Sequence, residues 1–282
     1  MPSVTYEAPV PALLFALRHH GQLDMAAPGC DPPALSALLT EAGRFARARL
    51  LPLWSIGDRA GARLENGKVT TAPGFAAAFQ DWAQAGWNAV GVPTAFGGVG
   101  LPLPVAMALL EIWNSANMAL MLCPLLSQGA IEVLLTHATP SLRDAFVPAL
   151  ASGQATATMA LTEPQAGSDL GAVRCRAEAD GTWPDGAPRF RLRGAKIFTS
   201  WGEHDLAGNI LHLVLARLPA APAGTRGLSL FLVPKRLPDG TANDLACTGL
   251  EHKLGLHGSP TCSMGFGEGP GALGWLIGAP HK

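Results

Sequence analysis

At 282 residues the chain is long enough for two domains whose cores need no disulfide or metal to hold them. Its 20 Lys and Arg balance 21 Asp and Glu, for a formal net charge of -1 with no block of like charge, so nothing calls for a nucleic-acid or other polyanionic partner. Five widely spaced cysteines (Cys30, Cys123, Cys175, Cys247, Cys262) form no C-x-x-C pair, which argues against a zinc or redox motif and for a reducing cytoplasm.

Met1 to Glu7 lacks the basic start and apolar run of a secretory signal. Leu35, Leu38, Leu39, Ala42, Phe45 and Ala46 recur at three- and four-residue steps, the pattern of one helix face. Phe75, Ala78, Phe79 and Trp82 repeat it and stop at Gly86, a C-terminal cap. Val105 to Leu126 is nearly apolar enough for a membrane span, but Glu111, Asn114, Ser115 and Asn117 interrupt it, so a buried helix is expected and no membrane. Thr139-Pro140 should open a further helix that closes near Gly153.

After about Gln154 the apolar residues alternate or form short runs between Gly, Pro and Asp, which is a strand pattern. Ala155 to Leu161, Val173 to Ala177, Arg189 to Arg193, Leu211 to Ala216 and Leu228 to Val233 are the expected strands. Turns are expected at Asp180-Gly181, Asp185-Gly186 and Pro238-Asp239-Gly240. The organisation predicted is α+β: an all-helical domain over residues 1–153, then an antiparallel β-sandwich or barrel over 154–282, joined near Ser152.

The sharpest local feature is the run from Met159 to Asp169, a strand that enters a loop at Thr162-Glu163-Pro164. Pro164 ends the ladder, Gly167 permits a turn, and Ser168 and Asp169 can cap it. By composition alone such a segment is more often only a turn.

Leu161-Thr162-Glu163-Pro164 followed by Ala166-Gly167-Ser168-Asp169 resembles the flavin-binding signature of the acyl-CoA dehydrogenase family. Gly86-Trp87, Val92-Pro93 and Phe96 to Pro102 resemble that family's glycine-rich N-terminal loop, and Lys196-Ile197-Phe198-Thr199-Ser200 resembles its second flavin-contacting strand. Gly227 to Pro234 and Lys253 to Thr261 are similar in order and spacing. Tyr6 to Pro9, Gly202 to Asp205 and His257 to Cys262 look most like the long bacterial branch that includes fatty acyl-CoA and 3-methylmercaptopropionyl-CoA dehydrogenases.

The resemblance implies FAD as cofactor, with Met159, Ala160, Leu161, Thr162, Gly167, Ser168, Phe198, Thr199 and Ser200 around it. Thr162 would bond the pyrimidine portion, Ser200 would sit near N5, and Ser168 would also face the acyl-CoA substrate. The family often has an aromatic residue at the place of Met159 and Trp at that of Phe198; both replacements keep an apolar, polarizable surface. The reaction implied is α,β-dehydrogenation of an acyl-CoA thioester, in which a carboxylate takes the α-proton and the β-hydrogen leaves as hydride. Electrons would pass to an electron-transfer flavoprotein, and the full-length protein would be a homo-oligomer. In the family the base belongs to a C-terminal helical domain, so the expectation from Gly274 to Lys282 is that this domain is missing and the isolated chain is inactive. Flavin-dependent oxygenases and DNA-associated flavoproteins share the fold, and a non-catalytic fragment is a third reading.

Other polar groups have blander expectations. Glu163 should be a structural hydrogen-bonding residue within its turn, Glu203-His204-Asp205 a solvated loop, and His19-His20 no site. Trp54, Trp82, Trp87 and Trp113 should be core or interface packing.

Overall fold

A computed structural model describes residues 5–21 and 31–281; Cys30 lies outside them. The chain opens with α1 (Val10–His19) and α2 (Pro32–Phe45). Asp31 starts α2 by accepting from Ala34 N at 3.3 Å, with prolines in the first turn where no amide donor is needed. Leu35, Leu39, Ala42 and Phe45 are buried, the face that the periodicity predicts. The helix widens into a π turn at Ala46–Leu50 and continues as α3 (Leu51–Ala60).

After α4 (Phe75–Gln84) comes α5 (Leu103–His137), which contains the apolar run singled out in the sequence. By length and composition α5 could cross a membrane, yet residues from Val105 to Leu134 along it are buried against α2, α3 and the first strand of the β domain. It breaks at Asn117 (φ -158°, ψ 80°). There Asn117 Oδ1 accepts from Leu120 N at 3.2 Å, recapping the helix, while its Nδ2 donates to Leu50 O at 3.1 Å. The break in one helix is thereby bonded to the π turn of another. α6 (Pro140–Ala151) begins as predicted, with Thr139 capping Leu142 N at 3.5 Å.

Three expectations for this half need correction or sharpening. It is not all-helical, because β1 (Arg63–Glu65) and β2 (Lys68–Thr70) form a hairpin across Asn66-Gly67, both at positive φ. Asn-Gly is a strong hairpin signal that the helical periodicity around it masked. Trp54 is 50 % exposed and not core packing, while Gly57, three residues further along α3, is covered by the Phe75 ring. Trp82, Trp87 and Trp113 are buried, edge to face, with centroids 5.5 and 5.1 Å apart.

The glycine-rich loop folds tightly on itself: Gly100 N donates to Val92 O and Leu101 N to Val90 O, both at 2.8 Å. A Cβ on Gly98 would fall 1.9 Å from Val92 O, a main-chain atom that cannot move aside. Gly98→Ala is expected to cost at least about 3 kcal/mol, the upper end for single substitutions, and urea denaturation beside the parent would show it. An unchanged midpoint would mean the loop relaxes freely.

The second half is a sheet of β3 (Ala155–Ala160), β4 (Arg176–Thr182), β5 (Pro188–Ser200), β6 (Asn209–Arg217), β7 (Leu228–Pro234), β8 (Leu245–Leu250), β9 (Thr261–Phe266) and β10 (Ala272–Ile277). β10 pairs with both β7 and β5, closing the ring β10-β7-β6-β4-β5 into a barrel, with β9 and β8 carried on the second half of β5. The pairing is not purely antiparallel, since β3 runs parallel to β6 over its whole length. Asp180-Gly181 lies inside β4 as a bulge, with Gly181 at φ 79°, and the chain turns instead at Asp185-Gly186. The segment expected from Val173 starts as a strand only at Arg176, while Arg189 to Arg193 and Lys196 to Ser200 are one strand. Strands β8, β9 and β10 were not expected; Gly249, Gly265 and Gly274 interrupt their alternation.

Candidate functional site

β3 leaves its partner β6 after Ala160, and its exit is bound side by side with the second half of β5. Thr158 Oγ1 donates to Ser200 O at 2.5 Å, Lys196 Nζ to Leu161 O at 3.0 Å, and Ile197 N to Thr162 O at 2.8 Å. The contacts run in opposite chain directions, so the two segments singled out by sequence lie together, antiparallel.

Glu163 anchors the turn that follows. Its Oε1 accepts from Lys196 Nζ at 2.8 Å and Cys175 N at 2.9 Å, and its Oε2 from Arg174 N at 2.7 Å and Gln165 Nε2 at 2.6 Å. The side chains of Lys196 and Glu163 are 0 % and 3 % exposed. Burial works to raise the Glu163 pKa, but the bond from Lys196, the two main-chain donors and the Lys196 charge outweigh it and hold the carboxyl below its ordinary range. The structural role expected for Glu163 is what the geometry shows.

Along β5, Phe190, Leu192 and Lys196 point inward at even positions. Phe198 would continue that series, but it sits at φ 56°, where the register with β9 shifts. This bulge reverses the parity: Phe198 turns out, 57 % exposed, and Thr199 turns in. Met159 on β3 is 40 % exposed, while Leu161, Thr162 and Ser200 are partly exposed. The two bonded segments therefore expose two apolar side chains, Met159 and Phe198, and carry two partly exposed hydroxyl-bearing residues, Thr162 and Ser200. Ala160 and Thr199, expected around the cofactor, are buried whole and present no open surface to it. The Thr199 hydroxyl has no hydrogen-bond partner.

Gly167 and Ser168 are exposed in the loop before the short turn Leu170–Ala172, where Asp169 Oδ1 accepts from Gly171 N at 2.8 Å. Gly167 needs no left-handed backbone, and a Cβ there would meet nothing within 4 Å, so its use is open space rather than a special turn. A cleft of about 580 Å³ lined by Val173, Arg174, Arg176 and Arg217 opens beyond this loop, not over Met159 and Phe198.

The loop after β5 is not solvated as expected. Glu203 and His204 are buried, and only Asp205 is exposed. Glu203 pairs with Lys235 at 2.5 Å, and Asp205 accepts from Thr71 N and Oγ1 at 3.2 and 2.6 Å, tying the helical half to the barrel. His204 Nδ1 accepts from Leu206 N at 3.1 Å, so Nε2 carries the proton and donates to Thr156 Oγ1 at 2.8 Å. Burial, then the charges of Lys235 and His212, hold the His204 pKa at about 3. Among the described residues no His, Cys, Asp and Glu cluster could hold a metal.

Lys196 and Thr158, which join the two segments, were not singled out as site residues. For Lys196 the signal was available: it is a charge at an inward position of a strand, which needs a buried partner.

The family pattern described as "Acyl-CoA dehydrogenase, N-terminal domain" matches residues 33–154, and "Acyl-CoA dehydrogenase, middle domain" matches residues 158–268. The chain belongs to the acyl-CoA dehydrogenase family, a class of flavoprotein oxidoreductases. It is 44 % identical to 3-methylmercaptopropionyl-CoA dehydrogenase of Ruegeria pomeroyi over 291 aligned positions, covering 99 % of this chain and 48 % of that protein. It is 42 % identical to the broad-specificity linear acyl-CoA dehydrogenase FadE5 of Mycobacterium tuberculosis over 209 positions, 71 % of this chain and 33 % of that one. Among solved structures, Caenorhabditis elegans ACDH-11 in complex with C11-CoA superposes with a TM-score of 0.76 at 23 % identity, over 98 % of this chain and 47 % of that one, a likeness of fold. The chain thus spans half or less of the length of these relatives.

Proposed function

We propose that the face bearing Met159, Thr162, Phe198 and Ser200 holds the ring of FAD, and that the protein serves α,β-dehydrogenation of an acyl-CoA thioester with an electron-transfer flavoprotein as acceptor. The observation that carries this reading is the bulge at Phe198, which turns an aromatic side chain out of β5 while that strand stays bonded to the segment carrying the exposed Met159. A flat aromatic ligand needs an apolar surface and fixed polar groups at its edge, and these residues fit that demand. When bound, the flavin supplies a hydride acceptor.

The chain's own residues divide the remaining work. Met159 and Phe198 exclude water from the ring, and the hydroxyls of Thr162 and Ser200 donate at its edge. Ser168, exposed in its loop, is placed to meet the acyl-CoA. Glu163 is not the base that takes the α-proton, because both its oxygens are occupied by four donors. The proton acceptor is expected outside these two segments.

Phe198→Asp tests the reading. Asp tolerates positive φ, and the Phe198 side chain is largely outside the core, so the fold should persist. FAD affinity should fall at least about tenfold, since covering an aromatic side chain is worth about 1.5–3 kcal/mol. Fluorescence titration with FAD reads this, and parental affinity in the variant would overturn the proposal.

A further inference from the structure

We infer that the buried Lys196 ammonium acts through the Leu161–Thr162 peptide to favour reduced over oxidised flavin on this face; the inference rests on the reading that the face holds FAD. Lys196 Nζ donates to Leu161 O at 3.0 Å, and no described peptide bond is cis. In a trans peptide the N–H points opposite to the carbonyl, so the Thr162 N–H is aimed away from the ammonium. A cation bonded to the carbonyl end polarises the whole unit and makes that N–H a stronger donor. Water does not screen the effect, because Lys196 is fully buried.

The neighbouring contacts keep this arrangement fixed, with the positive end of the ion pair against the Leu161 carbonyl. Ile197 N holds the carbonyl of the next peptide, Thr162 O, at 2.8 Å, so Thr162 is tied to β5 on both sides of its Cα. Glu163 shares the ammonium, but three further donors, from Arg174, Cys175 and Gln165, disperse its charge away from the Leu161 carbonyl. A reduced flavin is more electron-rich than an oxidised one at its pyrimidine edge, where Thr162 is proposed to lie, so a strengthened donor there stabilises the reduced form selectively. Lys196 is a positioning residue in this scheme, acting through a peptide it does not share.

The test compares the full chain with Lys196→Gln, which keeps a donor for Glu163 but loses the charge, and with Lys196→Arg, which keeps the charge. For each, the affinity for oxidised FAD is measured by fluorescence and the midpoint potential by equilibration with redox dyes. Lys196→Gln should lose about tenfold in preference for reduced flavin, a shift of about 30 mV downward for a two-electron couple, while Lys196→Arg stays near the parent. Should Lys196→Gln not fold, Lys196→Met combined with Glu163→Gln removes both charges without stranding either and should still shift the potential downward, by less than Lys196→Gln. A parent that binds no FAD sinks the underlying reading. A parent that binds FAD, with neutral variants at the parental potential, overturns the role of Lys196 alone.

Discussion

Replacing Glu163 with alanine is expected to cost the chain about 3–5 kcal/mol, the range for removing one partner of a buried ion pair. The variant leaves the Lys196 ammonium enclosed without a counter-charge, and the main-chain N–H groups of Arg174 and Cys175 lose their acceptor. Urea denaturation of the variant beside the parent measures this, and a loss under about 1 kcal/mol would mean that water reaches the pair.

The same carboxylate gives the acid side of the stability profile a definite sign. The folded pKa of Glu163 lies below its ordinary value of 4.5, so its contribution is complete above that pH and is lost as pH falls through the folded value. His204 acts in the same direction over a wider window: held at about 3 against an ordinary 6.5, it is neutral in the fold where the unfolded chain takes up a proton. Stability should therefore decline from about pH 6.5 downward and more steeply below 4.5. Glu163→Gln should flatten the steeper limb and leave the decline due to His204, which denaturation across this pH range would reveal.

Trp113→Ala is the second large effect expected, also about 3–5 kcal/mol. The Trp113 ring is fully enclosed between Trp82 and Trp87, and deleting it removes two edge-to-face partners together with its buried area. Those three rings lock α4 and the glycine-rich loop against α5, so little backbone is free to collapse into the gap. Thermal unfolding would measure the cost, and a midpoint within a degree or two of the parent would show that the cluster repacks.

Where a single helix face or a local cap decides the outcome, the sequence was legible. The buried stripe of α2, the Thr139 cap of α6 and the enclosure of α5 all follow from periodicity and residue type within one element. The hairpin at Asn66-Gly67 is equally local, but the helical periodicity on either side of it masks the signal. The three late strands were harder, because their glycines erase the alternation and only neighbouring strands keep the backbone extended.

By itself, the sequence determined an α+β chain with a polar, proline-ended turn after its first long strand, and it marked two separate segments, Met159 to Ser168 and Lys196 to Ser200, as the place for chemistry. Only the tertiary structure decided that these segments lie antiparallel, that Phe198 faces out and Thr199 in, and that Glu163 and Lys196 are the bonded pair behind them. The physical reason is that side-chain parity along a strand holds only until a bulge, and the bulge in β5 arises from its pairing with β9, more than sixty residues further along the chain.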